Sequence, residues 1–306
     1  MQHITDKNFN IDCKTAAAIG KFDTLHLGHQ ALISEIANFA AKNGLKTVVF
    51  SFNPSPAEFF GGKKCANILT ADEKLHILAK MKTVDYFIEY PFDYEFSQIS
   101  PFGFVKDIML GKLNCKFIAA GDSYRFGKNR AGTAGLLKEI SESLGISAKI
   151  IPPLCYNGEE ISSSRIRKLI ASGKFEDAQK LMGRAYFISG IVEGGKKIGR
   201  SLGFPTVNLK IPPAKFVPAD GVYLANCTIN GTTYPAVSNI GSNPTFNEAE
   251  KKCETFIMDF NGNLYGQKIT VNFLKFIRGE KKFTSAEELK RQIEDDVKHA
   301  KSWYLR

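Results

Sequence analysis

His26 and His29 stand three residues apart in the segment Gly20-Lys-Phe-Asp-Thr-Leu-His26-Leu-Gly28-His29. That spacing lets both imidazoles face one anion, and Gly28 leaves the backbone open to close approach. The same pair could ligate a metal, but a zinc site takes three or four ligands and no others stand nearby in sequence. A second cluster, Ile161-Ser162-Ser163-Ser164-Arg165-Ile166-Arg167, opens a helical stretch. Hydroxyls and free N–H groups at a helix N-terminus, with arginines one turn in, form an anion site; the plain alternative is a serine cap with a cationic face. A third run, Gly194-Gly195-Lys-Lys-Ile-Gly199-Arg200-Ser-Leu-Gly203-Phe204-Pro205-Thr206-Val-Asn208, mixes glycines with cations. It can fold as a flap over phosphates or as a glycine-rich turn before an edge strand. It lacks the G-x-x-x-x-G-K-[ST] order of a Walker loop. Thr206 and Asn208 alternate on the strand that follows, so both point to one face and can share one Mg²⁺–ATP.

The elements that must position these residues follow two grammars. In the first half strands and helices alternate. Thr15–Ile19 is a short apolar strand ending at Gly20. A helix of about residues 28–41 follows, with Leu32, Ile33, Ile36, Phe39 and Ala40 on one face. Asn43-Gly44 stops it, and residues 45–52 read as the next buried strand. Further strands fall at 86–90 and 115–120, a helix capped by Ser100-Pro101 runs to about residue 110, and another spans 133–144. Repeated units of this kind predict a doubly wound parallel sheet, with the His26 loop at the carboxyl end of a strand where ligands of such sheets bind. After Arg184 strands follow one another directly. Asn230-Gly231 and Asn261-Gly262 each separate two strand-like runs and read as hairpin turns. A compact antiparallel β-barrel is expected, closed by a terminal helix with a Ser285…Glu288 capping box and the stripe Leu289, Ile293, Val297. The expected domains are 1–186 and 187–306.

The chain of 306 residues is long enough for two cores, and its six cysteines form no C-x-x-C pair. They read as free thiols. A net charge of +10 suits polyanionic partners, yet the lysines are scattered and form no basic arm, so nucleic acid is not expected. No apolar run approaches the roughly 20 residues that span a bilayer. Residues 1–14 lack a signal-peptide core. The expected address is the cytoplasm, without membrane contact.

Taken together, H-x-G-H and I-S-S-S-R-I-R resemble the paired motifs of nucleotidylyltransferases. Ser51-Phe-Asn-Pro-Ser-Pro56, Gly121-Asp-Ser-Tyr-Arg-Phe-Gly127 and Leu181-Met-Gly-Arg184 narrow the likeness. In the second half Gly199-Arg200-Ser-Leu-Gly-Phe-Pro-Thr206-Val-Asn208 is similar to the riboflavin kinase signature. It is followed in order by Pro218…Tyr223, Asn239…Phe246, Cys253-Glu254-Thr-Phe256 and Leu264-Tyr-Gly266. The whole chain resembles the prokaryotic bifunctional riboflavin kinase/FAD synthetases. The resemblance implies an N-terminal nucleotidylyltransferase domain that transfers AMP from ATP to FMN, giving FAD and pyrophosphate. It implies a C-terminal kinase that makes FMN from riboflavin and ATP with Mg²⁺. His26, Gly28 and His29 would then hold the ATP phosphates, with Gly20, Phe22 and Asp23 also at the nucleotide. Ser163, Ser164 and Arg167 would hold the triphosphate from the other side, and Gly121, Asp122 and Ser123 would meet the flavin. In the kinase, Gly195, Gly199 and Arg200 would cover the nucleotide, Thr206 and Asn208 would bind metal and nucleotide, and Arg278 and Glu280 would frame the flavin. Glu254 would be the base for the ribityl hydroxyl, a poor nucleophile until a carboxylate takes its proton. The FMN phosphate needs no such help, because its second pKa is about 6. Three positions depart from the family: Thr24 stands where glycine is usual, Ser164 replaces threonine, and Ser123 replaces an acidic or amide residue. Thr24 and Ser123 motivate one alternative, a riboflavin kinase with a weakened or lost adenylyltransferase site. A flavin-sensing regulator built on both domains is another, and Glu254, His26 and His29 argue against it because a sensor need not keep them.

Overall fold

The computed structural model describes residues 1–62, 66–194, 199, 202–242 and 251–305. Contacts group the chain into two compact units, Met1–Cys65 with Leu69–Ser163, and Ala66–Ile68 with Ser164–Arg306.

The first unit is built on β1 (Gln2–Ile4), β2 (Thr15–Ile19), β3 (Lys46–Asn53), β4 (Tyr86–Pro91), β5 (Cys115–Gly121) and β6 (Ser147–Ile151). They form one sheet in the order β1-β4-β3-β2-β5-β6, with every ladder parallel. Every residue of β2 is buried, as befits a central strand covered on both faces. The chain winds outward through β2, β3 and β4 to one side and through β5 and β6 to the other. The switch point therefore lies between β2 and β5, at their carboxyl ends. A small hairpin of β7 (Cys155–Tyr156) and β8 (Glu159–Glu160) follows.

Helix Leu27–Asn43 buries Leu32, Ile33, Ile36 and Ala40 and ends at Gly44, whose φ of 64° is the left-handed cap glycine allows. Ser100 caps its helix as expected, its hydroxyl accepting from the Gly103 N–H. Beyond Gly103 the helix widens into a π-helix, Phe104–Lys112, that buries Phe104, Val105, Ile108 and Met109.

The second unit holds β9 (Tyr186–Glu193), β10 (Thr206–Leu209), β11 (Gly221–Ile229), β12 (Thr232–Ser242), β13 (Lys251–Ile257) and β14 (Lys268–Arg278). These close into a barrel in the order β10-β13-β12-β11-β14-β9, all pairs antiparallel. Asn230-Gly231 is the expected hairpin: Ile229 faces Thr232, and both turn residues have positive φ, 47° and 88°. Asn261-Gly262 is not one. Strand β13 is flanked by β10 and β12, while β14 lies between β11 and β9, so this segment crosses the barrel end. Phe260 turns back to meet the Tyr234 ring edge-on at 5.2 Å.

Cys253, Thr255 and Ile257 point into the barrel and are buried, which puts Glu254 and Phe256 on its outer face. The C-terminal helix Ala286–Tyr304 covers that face, with Val297 and Ala300 packed among Val222, Leu224 and Val237. The division into units falls earlier than residues 184–187. The helix Phe175–Met182 packs on the barrel, with Phe175 between 5.4 and 5.9 Å from the rings of Tyr186, Tyr223 and Phe273. Periodicity marks where strands begin, not which core a preceding helix joins. Among the described residues no helix is long and apolar enough to cross a membrane.

Candidate active sites

The loop from Gly20 to His26 lies at the switch point of the first sheet. Its backbone is strained, since Phe22 and Leu25 are fully buried at φ of 51° and 45°. His26 is the N-cap of helix Leu27–Asn43, its Nδ1 accepting the His29 N–H at 3.3 Å. The two imidazoles stack at 3.8 Å, and Phe22 backs the His29 ring at 5.1 Å. Gly28 has a second reason to be glycine, because a Cβ there would sit 3.0 Å from the His26 ring. Both histidines thus stand at a helix N-terminus, where free N–H groups and the dipole favour an anion.

His26, Gly28 and His29 line a cavity of about 280 Å³ together with Gly121, Asp122, Ser123 and Ser163. Strands β2 and β5 deliver the first two groups from either side of the switch point, and Ser163 opens the helix Ser163–Ala171. Gly20, Phe22 and Asp23 shape the loop rather than the cavity wall; Phe22 is wholly buried and Asp23 is 4% exposed. Ser164 and Arg167 fall in the second unit. There the Arg167 Nη1 donates to the Ala66 carbonyl at 2.6 Å, and its guanidinium lies 4.6 Å from the Phe216 ring.

Sequence reasoning missed a larger cavity of about 540 Å³ in the first unit, walled by Phe52, Phe60, Phe92, Phe96, Tyr124 and Phe126 with Arg125 and Arg130. The turn after β5 serves both cavities: Gly121, Asp122 and Ser123 line one, and Tyr124, Arg125 and Phe126 the other. The only early signal was that the motifs at 51–56 and 121–127 both reach it.

On the barrel, Glu254 is half-buried and lies opposite Asn208 on one neighbouring strand and Asn239 on the other. Directly opposed residues share a face, so the three side chains stand together. Glu254, Thr206, Asn239, Arg278 and Glu280 line a cavity of about 360 Å³ under the C-terminal helix, with Phe204, Phe256, Val237 and Val297 as apolar wall. Gly199 also lines it; a Cβ there would collide with the Phe204 carbonyl. Asn208 lines a different cavity of about 420 Å³ with Lys210, Lys215, Lys251 and Lys252. Strand β10 therefore borders an aromatic cavity holding a carboxylate and a basic one. Arg278 is held by Asp296 of the C-terminal helix, Nε to Oδ1 at 3.0 Å and Nη2 to Oδ2 at 2.7 Å. Gln292 donates to the same carboxylate at 3.1 Å. Gly195 and Arg200 lie outside the described residues, as do residues 243–246.

Burial pushes the Cys115 thiol up to about 11 and those of Cys227 and Cys253 up to about 12, so none is a thiolate nucleophile near neutrality. Among the described residues no group of three or more His, Cys, Asp or Glu could hold a metal ion.

A helix N-terminus with two histidines at a sheet's switch point, and a carboxylate next to a basic cavity, both suit nucleotide-dependent group transfer, the chemistry of a transferase class. Comparison with known proteins specifies it. The FAD synthetase family matches residues 8–165 and the riboflavin kinase family residues 182–304. The bifunctional riboflavin kinase/FMN adenylyltransferase of Buchnera aphidicola subsp. Schizaphis graminum is 38% identical over 96% of this chain and 95% of its own length. That of Escherichia coli strain K12 is 34% identical, over 94% and 91%. A solved structure described as a macrolide-efflux protein from Streptococcus pneumoniae is 31% identical and superposes with a TM-score of 0.89, covering 99% of this chain and all of that one. The chain belongs to the bifunctional riboflavin kinase/FMN adenylyltransferase family.

Proposed function

We propose that the chain carries out two consecutive ATP-dependent transfers, riboflavin to FMN on the barrel and FMN to FAD with release of pyrophosphate in the first unit. The observation that carries this reading is the presence of both family matches in one chain, each half retaining a cavity lined by its motif residues.

In the kinase reading riboflavin lies in the cavity beneath the C-terminal helix, its ring against Phe204 and Phe256, and ATP lies in the lysine-lined cavity. Glu254 takes the proton of the ribityl hydroxyl as it attacks the γ-phosphorus. Thr206 and Asn208 offer neutral oxygens on the strand between the two cavities, a donor set that fits Mg²⁺ kept mostly by phosphates and water. When bound there, the metal would neutralise charge on the phosphates.

In the adenylyltransferase reading the imidazoles of His26 and His29, the helix N-terminus and Ser163 hold the ATP phosphates. They stabilise the charge gathering on the leaving pyrophosphate. The aromatic cavity takes the isoalloxazine of FMN, and the shared turn after β5 lets its phosphate reach the histidines. A dianionic phosphate needs placement in line with the α-phosphorus and no base. The two activities are assigned to separable domains, and the cytoplasm, where ATP is plentiful, is the address that suits them.

Purified protein given riboflavin, ATP and Mg²⁺ is expected to accumulate FMN first and FAD later, resolved by chromatography of the flavins over time. FMN that never proceeds to FAD would leave a kinase alone.

A further inference from the structure

Thr24 is completely buried, and its Oγ1 lies 3.1 Å from the Oγ of Ser163. The bond joins two segments 139 residues apart: the loop after β2 that carries the histidines, and the first residue of helix Ser163–Ala171. Ser163 lines the cavity with His26 and His29, and Thr24 stands behind it. We propose that Thr24 is a positioning residue of the adenylyl-transfer site, whose hydroxyl aims that of Ser163 at the nucleotide phosphates. The inference rests on the phosphate-binding reading of that cavity.

The direction of the bond follows from proton counting. A hydroxyl has one proton to donate and two lone pairs to accept with. A phosphate oxygen only accepts, so Ser163 can bind it only by donating its single proton. The Thr24–Ser163 bond must then run the other way, with Thr24 donating to Ser163 Oγ. The result is a relay, Thr24 O–H to Ser163 O–H to phosphate, in which each bond polarises the next. Thr24 is well suited to hold its end. Its branched side chain has few rotamers, and it sits between two buried residues with left-handed backbone, Phe22 and Leu25. A glycine at 24 would supply no hydroxyl at all, so the threonine adds a contact to the site rather than weakening it.

The full-length protein tests this, with FAD formation from supplied FMN read as kcat and as KM for ATP, and circular dichroism with a thermal melt of the same preparation reporting on folding of the first unit. Thr24→Val keeps the branch and removes the hydroxyl. It is expected to raise KM for ATP roughly three- to tenfold, the worth of one neutral hydrogen bond, with kcat changed less. Thr24→Ser restores the donor and is expected to restore KM. Ser163→Ala is expected to raise KM as well, and adding Thr24→Val to it is expected to do no further harm, since the relay has lost its middle member. A normal KM in Thr24→Val beside a raised one in Ser163→Ala would overturn the proposal and leave the phosphate-binding reading standing. A normal KM in Ser163→Ala would overturn both. Should Thr24→Val fail to fold, Thr24→Ala carries the same comparison.

Discussion

An imidazole and a carboxylate meet different demands in the two halves, and single substitutions separate them. His29 is fixed by Phe22 on one side and His26 on the other, at a helix N-terminus. On the proposed reading, His29→Ala removes a donor to charge that grows in the transition state, so FAD formation from FMN is expected to fall about 10²-fold or more while FMN formation holds. Glu254→Gln keeps size and shape but cannot take a proton. FMN formation is expected to fall about 10²- to 10⁴-fold and FAD formation from supplied FMN to continue. Both rates from one preparation decide each case, and kinase turnover surviving in Glu254→Gln would send the search for the base elsewhere. The thiols give a third test. A thiol reagent at pH 8 is expected to modify exposed Cys13 and Cys155 in the native protein and to spare Cys115, Cys227 and Cys253, as those three remain protonated and buried at that pH. Early reaction at any of the three, followed by peptide mapping, would contradict their burial. At this scale the sequence was informative wherever a site is local: H-x-G-H and the serine cluster are contiguous and can be read as chemistry. The aromatic cavity was not legible, because Phe52, Phe60, Phe92, Phe96, Tyr124 and Phe126 come from four separate stretches with no spacing to reveal them.

Among the elements, the C-terminal helix does more than end the chain. Its Asp296 is 4% exposed and grips Arg278 in a fork, and both line the cavity that holds Glu254. Asp296→Ala leaves a mostly buried guanidinium without its carboxylate, a loss of about 3–5 kcal/mol for a broken buried pair. The barrel is expected to melt earlier and riboflavin to bind more weakly, read by calorimetry and fluorescence titration; an unchanged melt would place the pair at the solvent. The helix itself was readable from its cap and stripe, but the ion pair was not, since nothing in sequence links a strand end to the third turn of a later helix. Turns show the same limit. Asn230-Gly231 makes its hairpin because positive φ at both residues suits the strand twist. Asn261-Gly262 has the same chemistry, yet β12 and β10 already occupy both edges of β13, and pairing is decided by the barrel rather than by the turn.

For the whole molecule, the test is whether the halves work apart. A fragment of residues 187–306 is expected to phosphorylate riboflavin, and a fragment of 1–186 to adenylylate FMN. The packing of helix Phe175–Met182 adds a comparison. A fragment beginning at residue 164 keeps Phe175 against Tyr186, Tyr223 and Phe273, and is expected to melt higher than one beginning at 187. Truncating a buried phenylalanine costs about 3–5 kcal/mol, so Phe175→Ala in the longer fragment is expected to remove most of that difference. Equal melting of the two fragments would show that the helix contributes nothing to the barrel. Two folds in one chain were legible because alternation of strand with helix and of strand with strand leave different periodicities. By contacts the two helices that precede the first barrel strand group with it, which periodicity alone does not reveal.

Closure of the barrel joins its first strand to its last, with Ile191 opposite Lys268 and Tyr186 opposite Phe273. A ribosome must therefore release the chain through the last barrel strand before that ring can shut. The parallel sheet needs nothing beyond its own sixth strand, which ends at Ile151. Nascent chains fold from the N-terminus as they emerge. During synthesis the half that matches the FAD synthetase family is expected to fold ahead of the half that matches the riboflavin kinase family, and a chain released before Lys268 is expected to adenylylate only FMN made elsewhere.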